Sequence, residues 1–141
     1  MRILALDVGD RRIGVAVTDP LGLTAQPLEV WERRTLEDDL HHFSTLAGEL
    51  RVTAIVVGHP LTLAGAKSAQ TAKVEAFAQA LERQCGCPLA LWDERLTSVA
   101  GERTLLEGNV SRATRRVATN QVAAILLLQH YVESHRNAST P

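Results

Sequence analysis

Cysteine, aromatic side chains and excess charge are all scarce in this chain. Two cysteines, Cys85 and Cys87, flank Gly86 among 141 residues. With no second Cys or His pair at zinc spacing, they exclude a disulfide framework and read as free thiols near a helix end. Aromatic residues make up 4% (Trp31, Phe43, Phe77, Trp92 and Tyr131), too few for a platform on which unpaired bases stack. Core placement is the default for all five, and recognition of a nucleic-acid backbone or shape fits better than base stacking. The formal net charge of −1 excludes a uniformly basic chain. No apolar run reaches membrane-spanning length, and Asp7 interrupts the N-terminal apolar stretch too early for a signal peptide. The expectation is a cytoplasmic protein with no membrane partner.

What is present is enough apolar material, 45%, for one domain with a proper core. That domain is placed at residues 1–136, with a disordered tail at 137–141. Charges are unevenly spread. Glu37, Asp38 and Asp39 read as a solvated helix face, while Arg112, Arg115 and Arg116, with Arg103 upstream, form a patch suited to phosphate.

The stretch from Ile3 to Val17 is the most informative. Ile3-Leu4-Ala5-Leu6 suits a strand buried on both faces, and Val8-Gly9-Asp10-Arg11-Arg12-Ile13 a tight turn into a second strand. Asp7 is costly inside such a run unless a partner offsets it, and a bound cation is a common one. Gly9 and Gly14 would let a phosphate or metal approach the backbone. A hairpin whose Asp7 caps the turn, or pairs with Arg11, Arg12 or Arg95, is the plainer alternative.

Further along, Asp19-Pro20-Leu21-Gly22 marks a turn and residues 27–33 a third strand. Thr35 looks like an N-cap, and Leu36, Leu40, Phe43, Leu46 and Leu50 share one helical face. Residues 54–57 form a short buried strand closed by Gly58-His59-Pro60. A helix at 69–84 ends at Gly86, and a fifth strand at 88–92 delivers Asp93-Glu94-Arg95. A helix then runs from Thr97 or Ser98 to Glu107, a loop covers 109–116, and a last helix covers 120–135. Three strands followed by alternating helices and strands predict an α/β fold with a mixed five-stranded sheet flanked by helices.

If the first and fifth strands neighbour one another in parallel, Asp7 and Glu94 emerge at one sheet edge, where ligands of open α/β sheets bind. Alternation sends Asp93 and Glu94 to opposite faces, so one serves the site and the other a structural bond. Two close carboxylates repel unless a divalent cation lies between them, and oxygen ligands suit Mg2+ or Mn2+. That chemistry is suited to phosphodiester hydrolysis without a covalent nucleophile.

Leu6-Asp7-Val8-Gly9, the run from Arg12 through Thr18-Asp19-Pro20 to Gly22, Val56-Val57-Gly58-x-Pro60, Trp92-Asp93-Glu94-Arg95-Leu96-Thr97 and Ala123-Ala124-Ile125-Leu126-Leu127-Leu128-Gln129 resemble, in order and spacing, the YqgF/RuvX family. The resemblance implies a ribonuclease H-like fold and a Mg2+- or Mn2+-dependent endonuclease. By the same resemblance its role is 5′-end maturation of pre-16S rRNA in ribosome biogenesis, with ribosomal particles as further partners. It makes Asp7 and Glu94 two of the acidic site residues, and it places an Asp at the start of the last helix where this chain has Asn120. Asn120 keeps a carbonyl that can ligate a cation but lacks the charge, worth roughly 4 kcal/mol against a unit charge ~4 Å away at a dielectric of about 20. Three accounts stay open: another acid such as Asp10 compensates, the change inactivates, or the chain binds nucleic acid without cutting it. His59 stands where the family is usually apolar, and three readings fit it: a phosphate contact, a proton shuttle at the sheet edge, or a plain loop histidine. Leu63-Ala64-Gly65 lacks the Asp often found before that Gly.

Arg11, Arg12, Arg95, Arg112, Arg115 and Arg116 are the expected phosphate contacts, since a planar guanidinium donates two parallel bonds. The rival readings are a Holliday junction resolvase acting on branched DNA, a non-catalytic RNA- or ribosome-binding module, and a sugar-kinase or actin-like ATPase. The last needs two such domains. Monomer and homodimer are both compatible, a symmetric junction favouring the dimer.

Overall fold

The computed structural model describes residues 1–62, 64–93 and 112–138, with the backbone alone for 112–119 and 136–138. Strands β1 (Arg2–Val8), β2 (Arg12–Thr18) and β3 (Ala25–Glu32) are followed by helix α1 (Leu36–Leu50), β4 (Val52–His59), α2 (Ala69–Cys85), β5 (Leu89–Asp93) and α3 (Arg112–Ala138). The sheet order is β3-β2-β1-β4-β5. β2 runs antiparallel to both its neighbours, β1 and β3, while β1, β4 and β5 run parallel. The mixed five-stranded sheet expected from the sequence is therefore present. One expectation is corrected: β1 and β5 are not neighbours, because β4 lies between them. Their C-terminal ends still share one edge.

Period-two alternation sorts the strands onto two cores. Leu4, Leu6, Val8, Ile13, Val15, Val17, Ile55 and Val57 pack with Leu40 and Phe43 of α1 and with Val74, Phe77 and Leu81 of α2. On the opposite face Ile3, Ala5, Ala16 and Val56 meet Ala124, Leu127, Leu128 and Val132 of α3. Small residues dominate that second face of the sheet, so α3 can lie close to it.

Local chemistry explains the boundaries. The Thr35 side chain accepts from the Asp38 N–H, capping α1, and Gly86 ends α2 at φ 68°. β3 begins earlier than expected and stops before Arg33. Its Pro27, which has no N–H to give, sits where the β2–β3 register shifts. β4 is longer than 54–57 because Arg2 pairs with Val52 and His59 with Asp93. The last helix also starts earlier than expected. Residues 112–119 hold no Gly or Pro and are helical, so Arg112, Arg115 and Arg116 lie on α3 and not in a loop. At its other end α3 takes in Asn137 and Ala138. The helix expected from 97 or 98 to 107 lies outside the described residues.

Candidate functional site

Asp7 is the last odd-numbered residue of β1, so it shares the α3 face with Ile3 and Ala5. It stands directly opposite Gly14 of β2. On its other side Leu6 aligns with Val57, which brings Gly58 next to it along β4. A carboxylate only 4% exposed is thus flanked by two residues without side chains. The Asn120 amide donates to Asp7 Oδ2 at 3.2 Å from the part of α3 that crosses this edge. An ionised carboxylate only accepts, so the amide turns its NH2 towards it.

Gly14 is short for a reason other than the expected one. A Cβ there would collide with the carbonyl of Asn120 and lie 2.9 Å from Gln121 N. The close visitor is the α3 backbone, and neither a phosphate nor a metal is needed to explain this glycine. At Gly9 an added Cβ would sit 2.9 Å from Arg12 O and 3.4 Å from Asn120 Nδ2. Gly9, Asp10, Arg11, Arg12 and Asn120 line a cleft of about 350 Å³. The structure therefore brings together Asn120, Arg11, Arg12 and Asp10, with Asp7 bonded to the wall of the cleft through Asn120.

Two of these side chains also bond away from the cleft, and other expected members lie on the far face of the sheet. Arg12 Nε donates to Glu32 Oε1 at 3.0 Å across the β2–β3 pair, an exposed bridge of small energetic weight. Asp10 lies 3.9 Å from Lys73, both well exposed. His59 and Asp93 are register partners, one residue beyond Gly58 and Trp92, and alternation turns them to the α2 face, away from Asp7. There His59 Nε2 meets Glu75 Oε2 at 3.0 Å, and Lys67 reaches the same oxygen at 2.9 Å. The Lys67 and His59 hydrogen bonds hold the Glu75 carboxyl below its ordinary value. His59 ends strand β4, which corrects the loop placement, and it bonds to Glu75 of α2. Glu94 and Arg95 lie outside the described residues, as do the side chains of Arg112, Arg115 and Arg116.

Sequence reasoning missed two residues. Asp39, placed on a solvated face, is fully buried. Its Oδ1 accepts from Trp31 Nε1 at 2.8 Å and from the Arg34 N–H at 2.9 Å, and its Oδ2 from Arg33 Nε at 3.0 Å. Burial pushes this carboxyl up, yet those bonds from Arg34, Trp31 and Arg33 outweigh it and hold the group below its ordinary value. Arg33 in turn donates from Nη1 to Gly9 O at 3.0 Å, at the rim of the cleft. A Trp two residues before an Arg-Arg-Thr run was the available signal, but spacing alone does not separate a buried acid from a surface one.

The aromatic residues divide as expected in part. Phe43 and Phe77 are core residues. Trp31 stacks on His42 at 3.6 Å, and Trp92 donates to His130 Nδ1 at 2.8 Å with Tyr131 edge-on at 5.2 Å, so both tryptophans serve internal contacts. Cys85 and Cys87 are free thiols; burial, with Cys85 nearby, raises Cys87 above the ordinary thiol range. No helix among the described residues is long and apolar enough to cross a membrane.

Residues 1–134 match the family described as "RuvX: Holliday junction resolvase". The chain belongs to the RuvX family. It is 45% identical over 140 residues to a Myxococcus xanthus protein named "Putative pre-16S rRNA nuclease", covering 99% of this chain and 93% of that one. A Desulforamulus reducens relative of the same name is 43% identical over 134 residues, covering 95% and 98%. Among solved structures, Thermus thermophilus RuvC in complex with a Holliday junction substrate superposes with a TM-score of 0.63 at 14% identity, covering 100% of this chain and 99% of RuvC. The fowlpox virus Holliday junction resolvase gives 0.56 at 11% identity, covering 96% and 99%. These likenesses are of fold alone, and they bear out the ribonuclease H-like fold expected for this sheet.

Proposed function

We propose that this chain is a divalent-metal-dependent endonuclease that hydrolyses phosphodiester bonds in the 5′-end maturation of pre-16S rRNA, in the cytoplasm. The observation that carries the reading is the Asp7 carboxylate, buried at the shared strand edge between Gly14 and Gly58 and bonded to Asn120 beside an arginine-lined cleft. Relatives named for pre-16S rRNA supply the substrate class.

The donors fit a hard cation. A carboxylate and an amide carbonyl are oxygen ligands of the kind Mg2+ and Mn2+ take, and among the described residues no thiol or imidazole lines the cleft with them. Among the described residues no group of three or more His, Cys, Asp or Glu gathers into a site, so the reading relies on Glu94 as the second acid. Asp93, turned to the α2 face, is not proposed as a ligand. When bound, the ion supplies Lewis acidity at the phosphate and lowers the pKa of a water. Asp7 would hold the ion, Asn120 would orient Asp7 and offer a carbonyl, and Arg11 and Arg12 would engage the flanking phosphates. Asp10 adds an acid at the cleft mouth, and Arg95, Arg112, Arg115 and Arg116 extend the phosphate contacts.

The test is cleavage of a 5′-extended 16S rRNA fragment and of a four-way DNA junction with Mg2+ or Mn2+. Metal-dependent cuts in the RNA support the proposal. Cleavage of the junction alone would favour the resolvase reading, towards which the family description points. Salt-sensitive RNA binding without turnover would leave a non-catalytic module, the reading that Asn120 favours.

A further inference from the structure

We propose that Arg33, anchored by buried Asp39, is a positioning residue that holds the turn at 9–12 in the shape that presents Arg11 and Arg12 to substrate phosphate, an inference that rests on the nuclease reading. The turn closes through Gly9 N–H to Arg12 O at 2.9 Å. Two further carbonyls of the same turn are taken by a single residue from another strand end. The Arg33 backbone N–H donates to Arg11 O at 2.8 Å, and its Nη1 donates to Gly9 O at 3.0 Å.

The guanidinium has little freedom to do otherwise. Its Nε is bound to Asp39 Oδ2 at 3.0 Å, and its carbon lies 5.4 Å from the centroid of the Phe77 ring. Asp39 is held by Trp31 and the Arg34 N–H, so the carboxylate is a fixed point and not a mobile surface partner. Arg33 has donated two N–H groups inward and offset its charge against a buried acid, which sets it apart from Arg11 at the cleft. A lysine is a poor copy, because its donors share one nitrogen on a flexible stem, whereas Arg33 meets Asp39 Oδ2 and Gly9 O from two nitrogens fixed in one plane. Asn120 lines the same cleft as the turn, its Nδ2 3.4 Å from where a Cβ on Gly9 would stand, so the shape of the turn sets the space beside the residue that bonds Asp7.

The experiment compares the full chain with Arg33→Lys and Asp39→Asn, each alone and combined with Arg11→Ala. Affinity for a 5′-extended 16S rRNA fragment is measured without divalent ions, and amide NMR shifts are recorded. Arg33→Lys is expected to weaken RNA binding about tenfold, and Arg11→Ala to cost much less in that background than in the wild chain. The Gly9, Arg11 and Asn120 amides should move while those of Val74 to Leu81 stay in place. Should Arg33→Lys fail to fold, Asp39→Asn, which keeps the shape of the side chain, carries the same comparison. Unmoved turn amides, or fully additive losses with Arg11→Ala, would overturn the proposal. If the wild chain binds no RNA, the nuclease reading fails, while the amide shifts still decide whether Arg33 sets the turn.

Discussion

The backbone of Asn120 occupies the space that a side chain on Gly14 would need, directly across from Asp7 in the β1–β2 register. Helix α3 and the hairpin thus meet at a point where one residue has no Cβ, and Asn120 comes within 3.2 Å of the carboxylate as a result. Strand pairing, helix approach and site geometry are one structural fact here.

Gly14→Ala should therefore destabilise the fold by about 1–3 kcal/mol, the usual cost of overpacking, and part Asn120 from Asp7. Gly48→Ala in α1, where nothing lies within 4 Å, is the control. It should raise stability by about 0.5–1 kcal/mol through helix propensity. Urea unfolding of the two variants against the wild chain checks both signs.

Asp39 predicts an acid-sensitive contribution to stability. Its folded-state pKa lies below the ordinary 3.8, so the ionised group stabilises the native state above that value. The contribution falls away as pH drops through the folded-state pKa. Asp39→Ala should cost about 3–5 kcal/mol at pH 7, because it leaves Arg33 without its buried partner. Thermal melts from pH 7 to pH 2 should show a shallower acid limb in Asp39→Asn than in the wild chain.

Asn120→Asp places a second carboxylate against Asp7. Without ions the two charges repel, on the order of 4 kcal/mol at ~4 Å and an effective dielectric of about 20, before relaxation or protonation relieves it. The variant should melt lower than the wild chain in EDTA at pH 7.5 and gain more from added Mn2+. Equal Mn2+-dependent shifts in both proteins would mean that residue 120 does not face the cation.

The continuous apolar runs of Ile3 to Leu6 and Ala54 to Val57 made the central strands legible, as did the Thr35 and Gly86 caps for α1 and α2. Neighbour order was not legible. That β4 separates β1 from β5 is a long-range pairing which no local pattern encodes. Asp7 was readable because a charge within a buried run demands a partner. Asp39 was not, because its neighbours Glu37 and Asp38 are exposed and composition cannot tell three adjacent acids apart. The opposite placement of Asp93 follows from alternation once Trp92 is known to face α3, which required the fold. The early start of α3 was hidden by three arginines, which suit a loop and a helix equally.

Cleavage by Asp7→Asn tests the central claim most directly. The substitution keeps the size of the side chain and removes its charge, so the fold should survive while the cation loses its buried ligand. Metal-dependent cutting of the 5′-extended 16S rRNA fragment should fall at least about a hundredfold, with RNA affinity in EDTA nearly unchanged. Wild-type cleavage rates in a folded Asp7→Asn protein would contradict the account.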